Sequence, residues 1–319
     1  MKLKLLSDRW IRTYYTELLY RGLRRIGIQA YRKFSFPDRL VFDGKMANEI
    51  IAEFISIGQP ALIGRFGGCE TMAAVEEIGI TKGYLRHFSK GTLKGITKNA
   101  GVFPCDEQII RKFAKVQINA GKQVDILGMW HSSMQDYLIN ETCPGSVNLT
   151  KLRCLEPYFY KNPWTAALKG KKVLVVHPFK KSIEMQYKKR EVLFDNKDIL
   201  PDFELRVVQA VQTIAYENDT RFADWFEALD YLYNEAMKEE FDVAIIGCGA
   251  YGLALAAKLK EAGKIAIHLG GVTQLLFGIK GRRWDDDKFV SKLYNEHWVR
   301  PMEEETPVNA QYVEGACYW

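Results

Sequence analysis

Two short stretches of this 319-residue chain combine residue types that could do chemistry, and they share one local form. "LIGRFGGCE" (Leu62 to Glu70) leads from an apolar run through Gly64, Arg65, Phe66, Gly67 and Gly68 into a helical pattern. "IIGCGAYG" (Ile245 to Gly252) does the same, with Gly247, Gly249 and Gly252 at G-x-G-x-x-G spacing and Tyr251 at the helix start. Glycines allow a tight turn and close backbone approach. The helix N-terminus then presents free N–H groups and a positive dipole end to a phosphate. Arg65 could grip phosphate oxygens with two parallel N–H bonds. Glu70 is an ionisable group beside that turn, although helix electrostatics alone also favour a carboxylate there.

Other polar residues gather at the ends of apolar runs. Three of the five histidines, His131, His177 and His268, occupy such ends, and Lys180 and Lys181 follow His177 in "HPFKK". Gln274 stands near the start of a later helix, where it could meet a sugar hydroxyl. Trp284 could stack on a sugar or base or simply pack, and Asp285, Asp286 and Asp287 could ligate a cation or form a solvated turn. A nicotinamide site would also need an acid about 20 residues after the glycine turn to hold the ribose. The next strand, "KIAIHLGG", ends on His268 instead. The glycine spacing therefore points to a phosphate or diphosphate more than to a dinucleotide, with helix–strand packing as the plain alternative.

The elements that must position these residues read as an alternation. Apolar runs at 61–66, 124–129, 172–177, 205–210, 242–247 and 265–270 predict strands. Helical patterns lie near 45–57, 69–78, 106–120, 180–194, 221–239 and 250–262. Short continuous apolar strands separated by helices indicate a Rossmann-like α/β fold, a mostly parallel sheet with helices on both faces. Ligands of such sheets bind outside the carboxyl ends of the strands, where the glycine turns and histidines fall. The stripe Phe222, Trp225, Phe226, Leu229 and Leu232 reads as core packing. Residues 79–104, rich in Gly, Lys and Thr, read as a long functional loop or small insertion. The tail "EGACYW" ends on aromatics and is expected to dock on the body.

Composition narrows the class further. Hydrophobic residues at 47% and charged ones at 26% are ordinary for a soluble globular protein. No apolar run approaches the roughly 18 residues of a membrane span, and the first twenty residues lack the pattern of a signal peptide. Six scattered cysteines with no C-x-x-C pair argue against a disulfide framework or zinc knuckle and fit a reducing cytoplasm. Residues 1–33 hold nine lysines and arginines against Asp8 and Glu17, a net +7, so the remainder of this +6 chain sums to about −1. Arginines mixed with Trp10, tyrosines and leucines can form a helix lying on an anionic membrane surface, or one packed on the body with a solvated basic face. The basic charge does not spread over a domain surface, so no nucleic-acid partner is expected. The expected organisation is a basic amphipathic N-terminal segment and linker, 1–43, followed by a single α/β domain, 44–319.

"RFGGCE" resembles the R-F-G-D-G-E signature of the GT-D-type glycosyltransferases, and "FDVAIIGCGAYGLALAAKLKEAGKIAIHLGG" is similar to that group's C-terminal strand–turn–helix–strand unit. The resemblance covers about 20 residues around 60–79 and about 30 around 241–271. "HLGGVTQLLFGIKGRRW" (His268 to Trp284) also looks like proteins encoded among bacterial surface-polysaccharide genes. Arg65, Phe66, Gly67 and Glu70 match the signature; Gly68 replaces its Asp and Cys69 its second Gly. The resemblance implies a nucleotide-sugar donor, a glycan or lipid-linked acceptor, and a metal such as Mn2+ or Mg2+ held through an Asp-x-Glu pair, of which this chain retains Glu70. The implied activity is sugar transfer in surface-polysaccharide synthesis, in the cytoplasm or at the inner face of the membrane. Glu70, His177 and His268 are the candidate bases. Arg65, Lys180, Lys181 and the amides around Gly249 are candidates to neutralise the leaving diphosphate. The rivals are an NAD(P)-dependent oxidoreductase and a non-catalytic nucleotide- or glycan-binding partner.

Overall fold

The computed structural model describes residues 8–37, 39–130, 132–215, 219–312 and 315–319; His131 lies outside the described residues. The strands are β1 (Val41–Phe42), β2 (Ala61–Gly64), β3 (Ile126–Met129), β4 (Asn148–Lys151), β5 (Lys172–His177), β6 (Glu204–Gln209), β7 (Val243–Ile246) and β8 (Ile265–His268). They form one sheet in the order β1-β4-β3-β2-β8-β7-β5-β6, and every pairing is parallel. The α/β fold is thus a fully parallel sheet.

Alternation along the strands builds two cores. In β5, Leu174 and Val176 face one side while Val173 and Val175 face the other. The first face is covered by α3 (Gly68–Thr81), α5 (Glu107–Gly121), α6 (Gln135–Thr142), α9 (Trp225–Lys238) and α10 (Tyr251–Glu261). The second is covered by α2 (Gly44–Ile57), α7 (Lys180–Tyr187), α8 (Arg190–Leu193) and α11 (Thr273–Leu276), together with 3-10 turns and the C-terminal segment. Covering both faces is why the strands read as unbroken apolar runs. Within α9, Trp225, Leu229 and Leu232 are buried in the first core, and Asp224 caps the helix through the amides of Phe226 and Glu227.

Four elements go beyond the sequence expectation. Residues 79–104 contain α4 (Lys90–Lys98), started by Ser89, whose hydroxyl accepts the Thr92 amide. Gly95 lets that helix approach Cys69, whose sulfur would lie 3.2 Å from an added Cβ. Strand β4, "NLTK", and α6 have little apolar periodicity of their own. The N-terminal segment and linker expected at 1–43 carries β1, which pairs with β4 at the sheet edge.

The N-terminal helix α1 (Arg9–Arg25) is packed on α3. The Trp10 indole N–H donates to the Val75 carbonyl at 2.8 Å. A Cβ on Gly79 would sit 2.3 Å from the same ring, so the contact requires glycine there.

Candidate functional site

The sheet order sets the place of the site. β2 and β8 are neighbours at its centre, yet the chain leaves β2 toward α3 on one face and leaves β8 toward α11 on the other. Such a divergence opens a crevice at the carboxyl ends of the strands. His268 lies at its floor and joins both glycine turns. A Cβ on Gly252 would fall 2.1 Å from its ring, and one on Gly64 would fall 3.4 Å from its Cβ. Gly247 is equally constrained, because its Cβ would meet His177 Cδ2 at 2.5 Å and Thr273 at 2.8 Å. Gly249 differs: φ is +58° and no atom lies within 4 Å of an added Cβ. Three of the G-x-G-x-x-G glycines thus divide into two that admit imidazole rings and one that shapes the turn beside open space.

That space is a cavity of about 110 Å3. Its walls include His177 at the end of β5 and Phe179 just after it, Thr213 after β6, the Gly247–Tyr251 turn, Gln274, and Trp319 from the C-terminal segment. The Tyr251 ring stacks on Trp225 at 4.8 Å, and its hydroxyl lies 2.9 Å from that of Thr213. Gln274 is pinned by its amide nitrogen, which donates to the carbonyls of Ile279, Lys280 and Tyr318. Burial pushes both strand-end histidines down to about 3, and the Arg65 charge adds to the shift at His268. The His177 Nδ1 accepts the Phe179 amide at 3.0 Å, so its neutral form carries the proton on Nε2. The His268 Nδ1 donates to the Ile246 carbonyl at 3.3 Å, which leaves Nε2 as an acceptor.

Arg65 is the most unusual side chain of the crevice. It lies against the Gly270–Gly271 turn, with Nη1 3.5 Å from the position of a Gly270 Cβ. Among the described residues it has no ion pair or hydrogen bond, and its Nε is buried without a partner. Its evident contact is the Trp130 ring, 5.1 Å from the guanidinium carbon. A cation–π contact contributes about 0.5–2 kcal/mol. Burying an ion costs several kcal/mol, so the ring leaves part of even a partly covered guanidinium's penalty unmet. Burial accordingly lowers its pKa. Glu70 folds back over the N-terminus of α3, with its carboxylate 2.0 Å from where a Gly67 Cβ would be. No side chain caps that helix at Gly67. Burial raises the Glu70 pKa, opposed by its own backbone amide and by Arg65. Phe66 is fully buried, and its carbonyl accepts the Trp130 indole N–H at 2.9 Å.

Position 68 faces the same indole. An added Cβ there would meet Trp130 at 3.3 Å and the Ser132 hydroxyl at 3.6 Å. The glycine that replaces the signature Asp is therefore matched to a tryptophan packed above it. Among the described residues no three His, Cys, Asp or Glu side chains converge as a metal site. The charge that acts on Glu70 there is the Arg65 guanidinium.

Other candidate residues are placed apart. Lys181 pairs with Glu304 at 2.8 Å, and Lys180 lies 3.9 Å from Glu184. Neither lines the cavity. The N-terminus of α7 is taken by Glu305, which accepts the amides of Lys181 and Ser182. Trp284 is buried and packs against Tyr318. The three aspartates diverge: Asp285 binds Arg300, Asp287 binds Arg153, and Asp286 is exposed.

One buried acid was not visible as a candidate in the sequence. Glu156 follows the inconspicuous strand β4, accepts the Tyr158 hydroxyl at 2.8 Å, and is pushed up to about 7 by burial, with Arg65 among the charges that oppose the shift. Trp130 was likewise hidden, because nothing in "MWHSS" says that its ring turns back over the Arg65 loop.

No known family model matches this chain, and no curated protein matches it. Two solved structures are similar to it, each covering 84% of this chain and 93% of its own. One is a selenomethionine-substituted structure of the domain of unknown function 1792, at 13% identity and a TM-score of 0.47. The other is of the same domain, described as highly conserved and as having a distinct glycosyltransferase fold, at 14% identity and a TM-score of 0.44.

Proposed function

We propose that the protein is a glycosyltransferase that moves a sugar from a nucleoside-diphosphate sugar to a glycan or lipid-linked acceptor. The observation that carries this reading is Arg65, a guanidinium held with no hydrogen bond or ion pair among the described residues, at the switch between β2 and β8, beside a glycine turn and an ionisable carboxylate. A diphosphate supplies the oxygens that Arg65 lacks, and the N-terminus of α10, which no side chain caps, adds free amides. In an inverting transfer, the acceptor oxygen bonds to the anomeric carbon as the bond to the diphosphate breaks. Arg65 stabilises the charge on the departing diphosphate, and the acceptor proton passes to a base. Histidines with pKa values near 3 are weak bases at neutral pH. Glu70, whose affinity for protons is raised by burial, is better matched to that role. His177 Nε2–H and His268 Nε2 then serve as a neutral donor and a neutral acceptor for substrate hydroxyls. Synthesis of a bacterial surface polysaccharide is the setting that the motif resemblance suggests.

Thermal shifts with UDP-, GDP- and CMP-sugars, followed by turnover assays with and without manganese, test the reading. At least one sugar nucleotide should raise Tm and be consumed. A shift with NAD(P) alone would replace the transferase by an oxidoreductase. Stabilisation without turnover would make the protein a binding partner.

A further inference from the structure

Helix α1 buries one face and leaves the opposite face uncovered. Trp10, Ile11, Tyr14 and Glu17 are buried against the body. Arg12, Tyr15, Leu19, Gly22 and Ile26 follow one another at spacings of 3, 4, 3 and 4, which aligns them on a single stripe. All five are exposed, with Tyr15 at 54%, Leu19 at 60% and Ile26 at 73%. Leu18 widens the stripe, and Ile28 and Tyr31 extend the exposed apolar surface beyond the helix. Single exposed apolar residues are common, but an ordered stripe of them marks a contact surface.

Charge indicates what covers it. The one acid of the helix, Glu17, points inward and is shared by Arg21, Arg24 and Arg32, and Arg32 also pairs with Asp136. The inner cations are thus each paired within the protein. Arg9, Arg12, Arg25 and Lys33 are exposed and form no ion pair among the described residues. Cations flanking an apolar stripe are suited to reach lipid headgroups while the stripe enters the acyl boundary. A second copy of the chain is a poorer occupant. A two-fold contact through this stripe would bring like-charged faces together.

We infer that α1 docks the protein on an anionic lipid surface. The inference stands on the helix alone and is independent of the reading of the crevice. The test is flotation of the full chain with vesicles of phosphatidylcholine alone or mixed with phosphatidylglycerol, at low and high salt. The protein should float with the anionic vesicles, stay behind with the neutral ones, and be released as salt rises. Leu19→Ser combined with Ile26→Ser leaves the charge and the buried face untouched. It should lower partitioning by about tenfold or more, with Tm unchanged. Absence of binding to anionic vesicles would overturn the inference. So would a double variant that binds as well as the original, or self-association in sedimentation that this variant abolishes, since the stripe would then join two copies.

Discussion

At the scale of single residues, Arg65 and Glu70 make opposite demands that substitution can separate. A guanidinium without a hydrogen bond or ion pair burdens the fold, so Arg65→Met should hold or raise the Tm of the ligand-free protein while removing the shift caused by sugar nucleotides. A fall in Tm with the ligand response intact would make Arg65 a packing residue. Glu70→Gln keeps the shape and removes the base. Transfer should drop by about 10²–10⁴-fold with Tm nearly unchanged, and full activity would withdraw the role from Glu70. Glu156 offers a pH test. Its folded pKa of about 7 lies above its ordinary 4.5, so its contribution is complete below about pH 4.5 and is lost as pH rises through 7. Glu156→Gln removes that loss. The Tm of the variant relative to the original should therefore climb between pH 5 and pH 8, and a constant difference would mean that Glu156 is ionised in the folded state. His177 and His268 act in the other direction, with contributions present above 6.5 and lost as pH falls toward 3.

At the scale of elements, the glycine turns show that one spacing can carry two unrelated demands. Gly252 is needed because the His268 ring lies where its Cβ would be, and this enforced overlap should cost about 1–3 kcal/mol in Gly252→Ala. The cost should shrink by more than about 1 kcal/mol when His268→Ala is also present, because the two positions share one contact. Additive losses in denaturant titrations would show that the ring does not set the requirement. This division also explains what the sequence made legible. Strands β2, β3, β5, β7 and β8 are covered on both faces, so their apolar runs announce them, and the glycine turns at their ends follow; β6, at the other edge, buries only Val207 and Val208. Strands β1 and β4 lie toward one edge and are short and partly polar, so nothing local distinguishes them from linker. Glu156, placed by β4, was hidden for the same reason. Trp130 and the neutral histidine tautomers depend on packing between distant segments, which no spacing records. Lys180 and Lys181 looked like phosphate ligands because they follow His177, but the chain turns at Phe179 and directs them toward Glu184 and Glu304.

At the scale of the whole molecule, the segment after α11 acts as a strap across the second face. Glu305 occupies the α7 N-terminus, and the Trp319 indole N–H donates to the Glu305 carbonyl at 3.2 Å. The Tyr318 carbonyl accepts the Gln274 amide at 3.0 Å, and the Trp319 carbonyl accepts the Arg282 amide at 3.3 Å. The strap therefore ties the helix after β5 to the loop after β8 and brings Tyr318 and Trp319 to the cavity wall. Its attachment to the fold and its part in the site rest on different atoms. The carbonyl and cap contacts survive Trp319→Ala, whereas the aromatic wall does not. The variant should unfold only a few degrees lower, about 2–4 °C per kcal/mol lost at this size. Its sugar-nucleotide affinity should fall by about tenfold, the equivalent of roughly 1.4 kcal/mol. Isothermal titration beside calorimetry separates the two effects. Unchanged affinity with a lower Tm would confine Trp319 to holding the strap, and the ligand would then lie on the Arg65 side of the crevice, away from the aromatic wall.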